Sequence, residues 1–240
     1  MGRTGGWFAP DPGRLHNRRV AVVARALLAF GVLISASAWA YPGGTWRTRA
    51  SPGFSFWQNF WCDLLSTRAL NGQSSWLAAG LSRAAFACFA LALYRFWPLA
   101  AERASPARPS PTAQKAGQLG ALCLLAVAVV PAASSQLLHA VAVLLATGSS
   151  LFGVSLLLRA LLRQGEPVAA LLGLATLLVS GLCLALYVVQ GLGYADVDAL
   201  AGLQKLATAP LLAFMVQLLL RSRSPRARAS TDTQGPRGRG

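Results

Sequence analysis

Arg83, His139 and Lys205 each stand inside a long apolar run, where an ionisable side chain is costly and marks a functional candidate. Cys62 and Asp63 are adjacent in a polar, aromatic-rich stretch, with Asn59 just before them. Asp196 and Asp198 fall in a short loop near the end of the chain. Together these groups have the chemistry to hold a small anion or the headgroup of an amphiphile. Asp63, Arg83, His139, Lys205, Asp196, Asp198, Asn59 and Cys62 are therefore the candidate ligand-binding residues. The competing reading is a structural lock, since buried charges have to be paired whether or not a ligand binds. Asp196 or Asp198 also suits the cap of a following helix.

Catalysis is less well supplied. A metal hydrolase needs several His or carboxylate ligands, and besides His139 there is only His16, in the N-terminal lead-in. The histidine cluster of ceramidase-type intramembrane hydrolases is thus not available. A rhomboid-like serine protease needs a serine and a later histidine, whereas Val179-Ser180-Gly181 follows His139. Cys62 and His139 have the types for a thiol nucleophile and its base, with only a shared level in the molecule to join them. The four cysteines show no C-x-x-C spacing, so no zinc site or redox pair is signalled. No catalytic residue, metal or cofactor is expected.

The elements that must position these groups are membrane spans. The 240 residues are 55% hydrophobic and 12% charged, with a mean hydropathy of +0.49, far from the roughly 25% charge of soluble domains. Residues 1–19 form a basic lead-in. Six apolar runs of spanning length follow, at about 20–41, 75–99, 116–133, 137–162, 168–190 and 199–220. Segment 42–74 separates the first two, and residues 221–240 form a basic tail whose composition predicts disorder. The basic start, the first apolar run and Ala38-Trp39-Ala40 also resemble a cleavable signal peptide, but the run is long enough to span and five more follow it. The linker 101–115, with Pro106, Pro109 and Pro111, is expected to be non-helical. Ser134, Ser135 and Gln136 leave room only for a tight hairpin between the third and fourth spans.

The formal net charge of +15 sits in short clusters between apolar runs. That placement fits cytoplasmic loops facing anionic lipid, and no nucleic-acid motif accompanies it. Arg25 lies close enough to the cytoplasmic face to snorkel. Sixteen of the 22 Lys/Arg fall on the side of the termini, while Arg47, Arg49 and Arg68 fall on the other. Both termini are therefore expected in the cytoplasm, and the arginine-rich, lysine-poor composition points to a bacterial inner membrane. Small residues at Gly31/Ser35, Gly148/Gly153 and Gly181/Ala185 are the expected helix-packing points. Segment 42–74 carries five aromatics between Phe54 and Trp61. Phe56, Phe60 and Leu64 share one helical face, which predicts an interfacial helix over about Ser55–Ser66. The whole reads as an all-α bundle of six transmembrane helices with an outward-facing polar pocket. Its expected partners are membrane lipids or another membrane protein, with no nucleic acid. Binding of a lipid headgroup or small amphiphile leads. A small transporter of an anionic substrate is the alternative, and an intramembrane hydrolase comes third.

Tyr41-Pro42-Gly43-Gly44-Thr45, Phe54-Ser55-Phe56-Trp57-Gln58-Asn59-Phe60, Cys62-Asp63-Leu64 and Asn71-Gly72 resemble the motifs of an uncharacterised family of prokaryotic membrane proteins. The resemblance implies about six helices, and a histidine early in the fourth corresponds to His139. The chain departs from the pattern at Ser74-Ser75, where a second Asn is expected after Asn-Gly. The family implies no activity.

Overall fold

In a bilayer every backbone N–H and C=O has to be satisfied within the protein, so apolar runs of this length fold as helices. The computed structural model of the chain describes residues 12–104, 109–194 and 199–221. It contains six helices long and apolar enough to cross a membrane: α1 (Pro12–Ala40), α2 (Trp76–Ala104), α3 (Pro111–Val129), α4 (Gln136–Arg163), α5 (Pro167–Gly191) and α6 (Leu200–Arg221). There is no strand among the described residues. The shortest, α3, has 19 residues and rises about 28 Å, enough for the hydrocarbon layer. The protein is an all-α, multi-pass membrane bundle.

Local chemistry sets the helix ends. Ser110 accepts a hydrogen bond from Ala113 N at 3.2 Å, with Pro111 in the first turn. Pro is tolerated there because its missing N–H would have had no partner. Ser135 caps α4 by accepting from Leu138 N at 3.4 Å, and Pro167 opens α5. The Ser110 cap and the length of α2 correct the expected non-helical linker 101–115. Helix α2 runs through Pro98 to Ala104 and α3 starts at Pro111, so only the middle of the linker is left between them. Likewise α1 begins at Pro12 and takes in residues 12–19 of the basic lead-in.

Consecutive helices pack on one another, and α2 is the centre. Half of its most apolar stretch is buried, against 22% for α5. Leu171, Leu178 and Leu182 of α5 and Leu137 of α4 point outward, as helices solvated by lipid allow. Trp97 of α2 is fully buried and acts as the wedge. A Cβ at Gly117 of α3 would fall 1.8 Å from its ring, and one at Gly153 of α4 2.8 Å from it. Gly120 lets α3 approach α4, where a Cβ would meet Ala146 O at 2.8 Å. Gly31, Gly148 and Gly181 face open space, so of the expected packing points only Gly153 is a close contact. Small residues are frequent in these helices, and only the position of a large partner tells which ones matter.

The end of the bundle away from segment 42–74 is tied by Glu166. Its carboxylate, mostly buried, pairs with Arg103 of α2 at 2.5 Å and also with Arg221 at the end of α6. Gln164 donates to Ala104 O beside it. Arg19 and Glu102 form a looser pair at 3.4 Å on the surface.

Candidate functional site

Segment 42–74 folds over the opposite end as an irregular cap wired to itself. Gly43 and Gly44 hold φ of 133° and 89°, which L side chains rarely adopt. A Cβ on Gly43 would sit 2.4 Å from Ser51 O, and one on Gly44 2.3 Å from Asn71 N. Gly44 N donates to Ser51 O at 2.8 Å, and Asn71 N to Gly43 O at 3.3 Å. The Tyr41 hydroxyl accepts from Leu70 N at 3.0 Å. The two glycines thus let three strips of chain lie against one another.

Asn59 is the hub of this cap and is 0% exposed. Its Oδ1 accepts from Ser55 N at 2.9 Å, and its Nδ2 donates to Gly44 O at 2.8 Å and to Asp63 Oδ2 at 3.2 Å. Asp63 also accepts from Trp46 Nε1 at 3.1 Å and from Phe60 N at 2.9 Å. The side chains of Asn59 and Asp63 take up backbone N–H groups that a continuous helix would need. The short helix of this segment is therefore a single 3₁₀ turn, Trp61–Leu65, in place of the α-helix expected over Ser55–Ser66. Phe56, Phe60 and Leu64 do not form one face.

Lys205 of α6 rises into the cap and is 5% exposed. Its Nζ donates to Asn59 O and to Ala201 O. It also lies 5.3 Å from the centre of the Phe54 ring and 5.2 Å from that of Phe56, within cation–π range. Two carbonyls and two aromatic faces replace its hydration shell. Asp63 senses this charge, which lowers its pKa, as do the hydrogen bonds from Asn59, Trp46 and Phe60. Burial is the larger effect and pushes the carboxyl above its ordinary value. Burial, with Asp63 adding to it, likewise pushes the Cys62 thiol up to about 12. A thiol so held is protonated at neutral pH and is a poor nucleophile.

The remaining candidates are placed apart from this knot. His139 uses Nδ1 on Val130 O at 2.7 Å and so ties α4 to the end of α3. Arg83 donates through Nη2 to Leu65 O at 3.2 Å. Its Nε is buried without a partner, and no carboxylate among the described residues pairs with it. Asp196 and Asp198 lie outside the described residues. The structure thus joins Asn59, Cys62, Asp63 and Lys205, and leaves Arg83 and His139 to other tasks.

Beneath the cap is a feature that the sequence reading missed. A half-open cavity of about 190 Å³ lies between α2, α3, α4, α5 and α6. Phe60 and Trp61 of the cap form part of its wall. Trp61 is fixed at 5.4 Å, edge-on, against Phe30 of α1, which stacks at 4.5 Å on Phe89 of α2. Among the described residues, no charged residue lines the cavity. Of its polar residues, Thr176 and Thr208 donate to carbonyls of their own helices, and Gln204 accepts from Trp61 N at 3.1 Å. Along α6 the lining runs from Leu200 to Leu211, about 16 Å of helical rise. Sequence periodicity could not reveal it, because its walls are ordinary apolar helix faces from five helices. The group has no constellation for holding a metal ion among the described residues.

No family model, curated protein or solved structure matches the chain.

Proposed function

We propose that this is a multi-pass protein of the bacterial inner membrane that binds one apolar chain of a lipid or small amphiphile within its helix bundle. The observation that carries the reading is the uncharged cavity of about 190 Å³ bounded by Phe60 and Trp61. It is slightly larger than an apolar cavity of about 150 Å³ that stays dry and takes up benzene. It is smaller than the roughly 300–1,000 Å³ of sites that enclose a whole drug-sized ligand. A chain, rather than a complete headgroup, is therefore the part that fits inside. Asn59, Asp63 and Lys205 are engaged with one another and with backbone groups, which favours a structural cap over an open anion site. The balance of Lys/Arg, sixteen on the side of the termini against three in segment 42–74, supports cytoplasmic termini and a cap on the outer face.

Filling the cavity tests the reading. Protein extracted with its native lipid is analysed by mass spectrometry under gentle conditions, wild type beside Ala207→Phe and Ser180→Phe. The expected result is a retained amphiphile on the wild type that is lost from both variants while they still unfold cooperatively in detergent. Equal retention by all three would reject it.

A further inference from the structure

Arg83, Phe86, Ala90, Leu93 and Trp97 follow one another at spacings of three and four along α2, which puts them on one stripe of the helix. Phe86 and Leu93 of that stripe line the cavity, and Trp97 is the buried wedge below. Arg83 is the next position up, one turn or about 4.5 Å above Phe86. Helical side chains lean toward the N-terminus of their helix, so Arg83 leans toward the cap. The cap meets it there: Nη2 donates to Leu65 O at 3.2 Å, at the end of the 3₁₀ turn whose first residue, Trp61, bounds the cavity. The side chain is only half-buried, yet its Nε is shut off from solvent with no acceptor among the described residues. Unlike Lys205, whose ammonium is satisfied by carbonyls and rings, Arg83 spends one Nη2 donor on Leu65 O and retains the two of Nη1 and the other of Nη2.

Resting on the cavity reading above, we infer that Arg83 is the headgroup contact and that the ligand is an anionic amphiphile, its chain in the cavity and its carboxylate or phosphate on the guanidinium. The planar fork of Arg matches either oxyanion through two parallel N–H donors. The described walls below carry no charge, and Arg83, three residues before Phe86, is the cation next above them on α2. A free fatty acid and an anionic phospholipid share the required chemistry.

Delipidated full-length protein in a neutral detergent is titrated with oleate, phosphatidylglycerol and, as an uncharged probe, 1-oleoylglycerol, with bound species counted by native mass spectrometry. The wild type is expected to take up at least one of the two anions more tightly than 1-oleoylglycerol. Arg83→Gln is expected to weaken the anion by about tenfold or more, the scale of one charge-assisted hydrogen bond, and to leave 1-oleoylglycerol unchanged. Arg83→Lys, which keeps the charge but not the fork, is expected to fall between. Retained binding of 1-oleoylglycerol shows that the variants are folded. Uptake of oleate alone assigns the source to free fatty acid, and of phosphatidylglycerol alone to phospholipid. Equal anion binding by wild type and Arg83→Gln, or no anion binding by the wild type, overturns the inference. If Ala207→Phe leaves all three ligands bound as in the wild type, the cavity reading itself fails.

Discussion

The amide of Asn59 and the carboxylate of Asp63, four residues apart, share a hydrogen bond of 3.2 Å while the backbone carbonyl of Asn59 receives the ammonium of Lys205. One residue thus links the acid of the cap to the base of the last helix without a direct ion pair between them. Burial of the two charges is tolerated because each also has neutral partners, three donors for Asp63 and a second carbonyl with two rings for Lys205.

Asn59→Ala should therefore be among the most damaging single changes in the cap. It strands Ser55 N and Gly44 O and removes one donor from Asp63. At about 1–3 kcal/mol for each buried group left unsatisfied, a loss of roughly 3–5 kcal/mol is expected. Reversible unfolding in mixed micelles measures it, and a loss below 1 kcal/mol would show that the hub is dispensable.

Gly44→Ala and Gly53→Ala form a matched pair. Both glycines have positive φ, 89° and 61°, but only at Gly44 would the new Cβ collide with backbone, 2.3 Å from Asn71 N. At Gly53 the space is open, so only the left-handed backbone cost of roughly 1–2 kcal/mol applies. Thermal scans should place Gly44→Ala well below Gly53→Ala, and similar midpoints would contradict the close approach.

The cap should be more stable in mild acid than at neutral pH. Burial raises the Asp63 carboxyl above its ordinary 3.8, so between that value and the raised one the folded state binds more protons than the unfolded state. Stability is then greatest below about pH 4 and is lost as pH rises through the folded value. Asp63→Asn cannot titrate and should flatten that part of the profile. A slope identical to that of the wild type would assign it to another group.

Cys62 should resist alkylation. Its thiol, pushed up to about 12 by burial and by Asp63, carries only a trace of thiolate at pH 7.5. Peptide mapping after a short exposure to N-ethylmaleimide in detergent should find Cys62 largely unmodified, with labelling rising once the protein is unfolded. Rapid labelling of the folded protein would show a lower value and reopen a nucleophilic role.

At the other end, Glu166→Gln leaves Arg103 and Arg221 without their shared carboxylate. Arg103 is 20% exposed and Arg221 44%, so the cost falls below the 3–5 kcal/mol of a fully buried pair, at about 2–3 kcal/mol. Unfolding in mixed micelles should register it, and Glu166→Asp should recover part of it.

The six spans were legible because lipid allows few alternatives to a helix once an apolar run reaches spanning length, while α1 starts about two turns before the expected position, α2 ends and α3 starts inside the expected linker, and α3 stops at Val129. The cap was half legible. Its turn residues and its Cys-Asp pair were visible, but the aromatic spacing suggested an α-helix, because it does not show that Asn59 and Asp63 turn back on their own backbone. Lys205 was singled out as a buried cation, yet its partners are carbonyls and rings, which carry no charge to search for. Glu166 stands out in no motif of the sequence, and only the fold reveals that Arg103 and Arg221 meet there. The cavity had no signature at all, since each of its walls is one apolar face among several on its helix.

The contact between Lys205 and Asn59 spans 146 positions. The loop between α1 and α2 leaves the ribosome well before α6, which carries the cation that completes it. Until α6 has entered the bundle, the Asn59 carbonyl and the rings of Phe54 and Phe56 lack their guest. A loop made before α2 consequently sets only once α6 is in place, and its closure reports that α6 has docked.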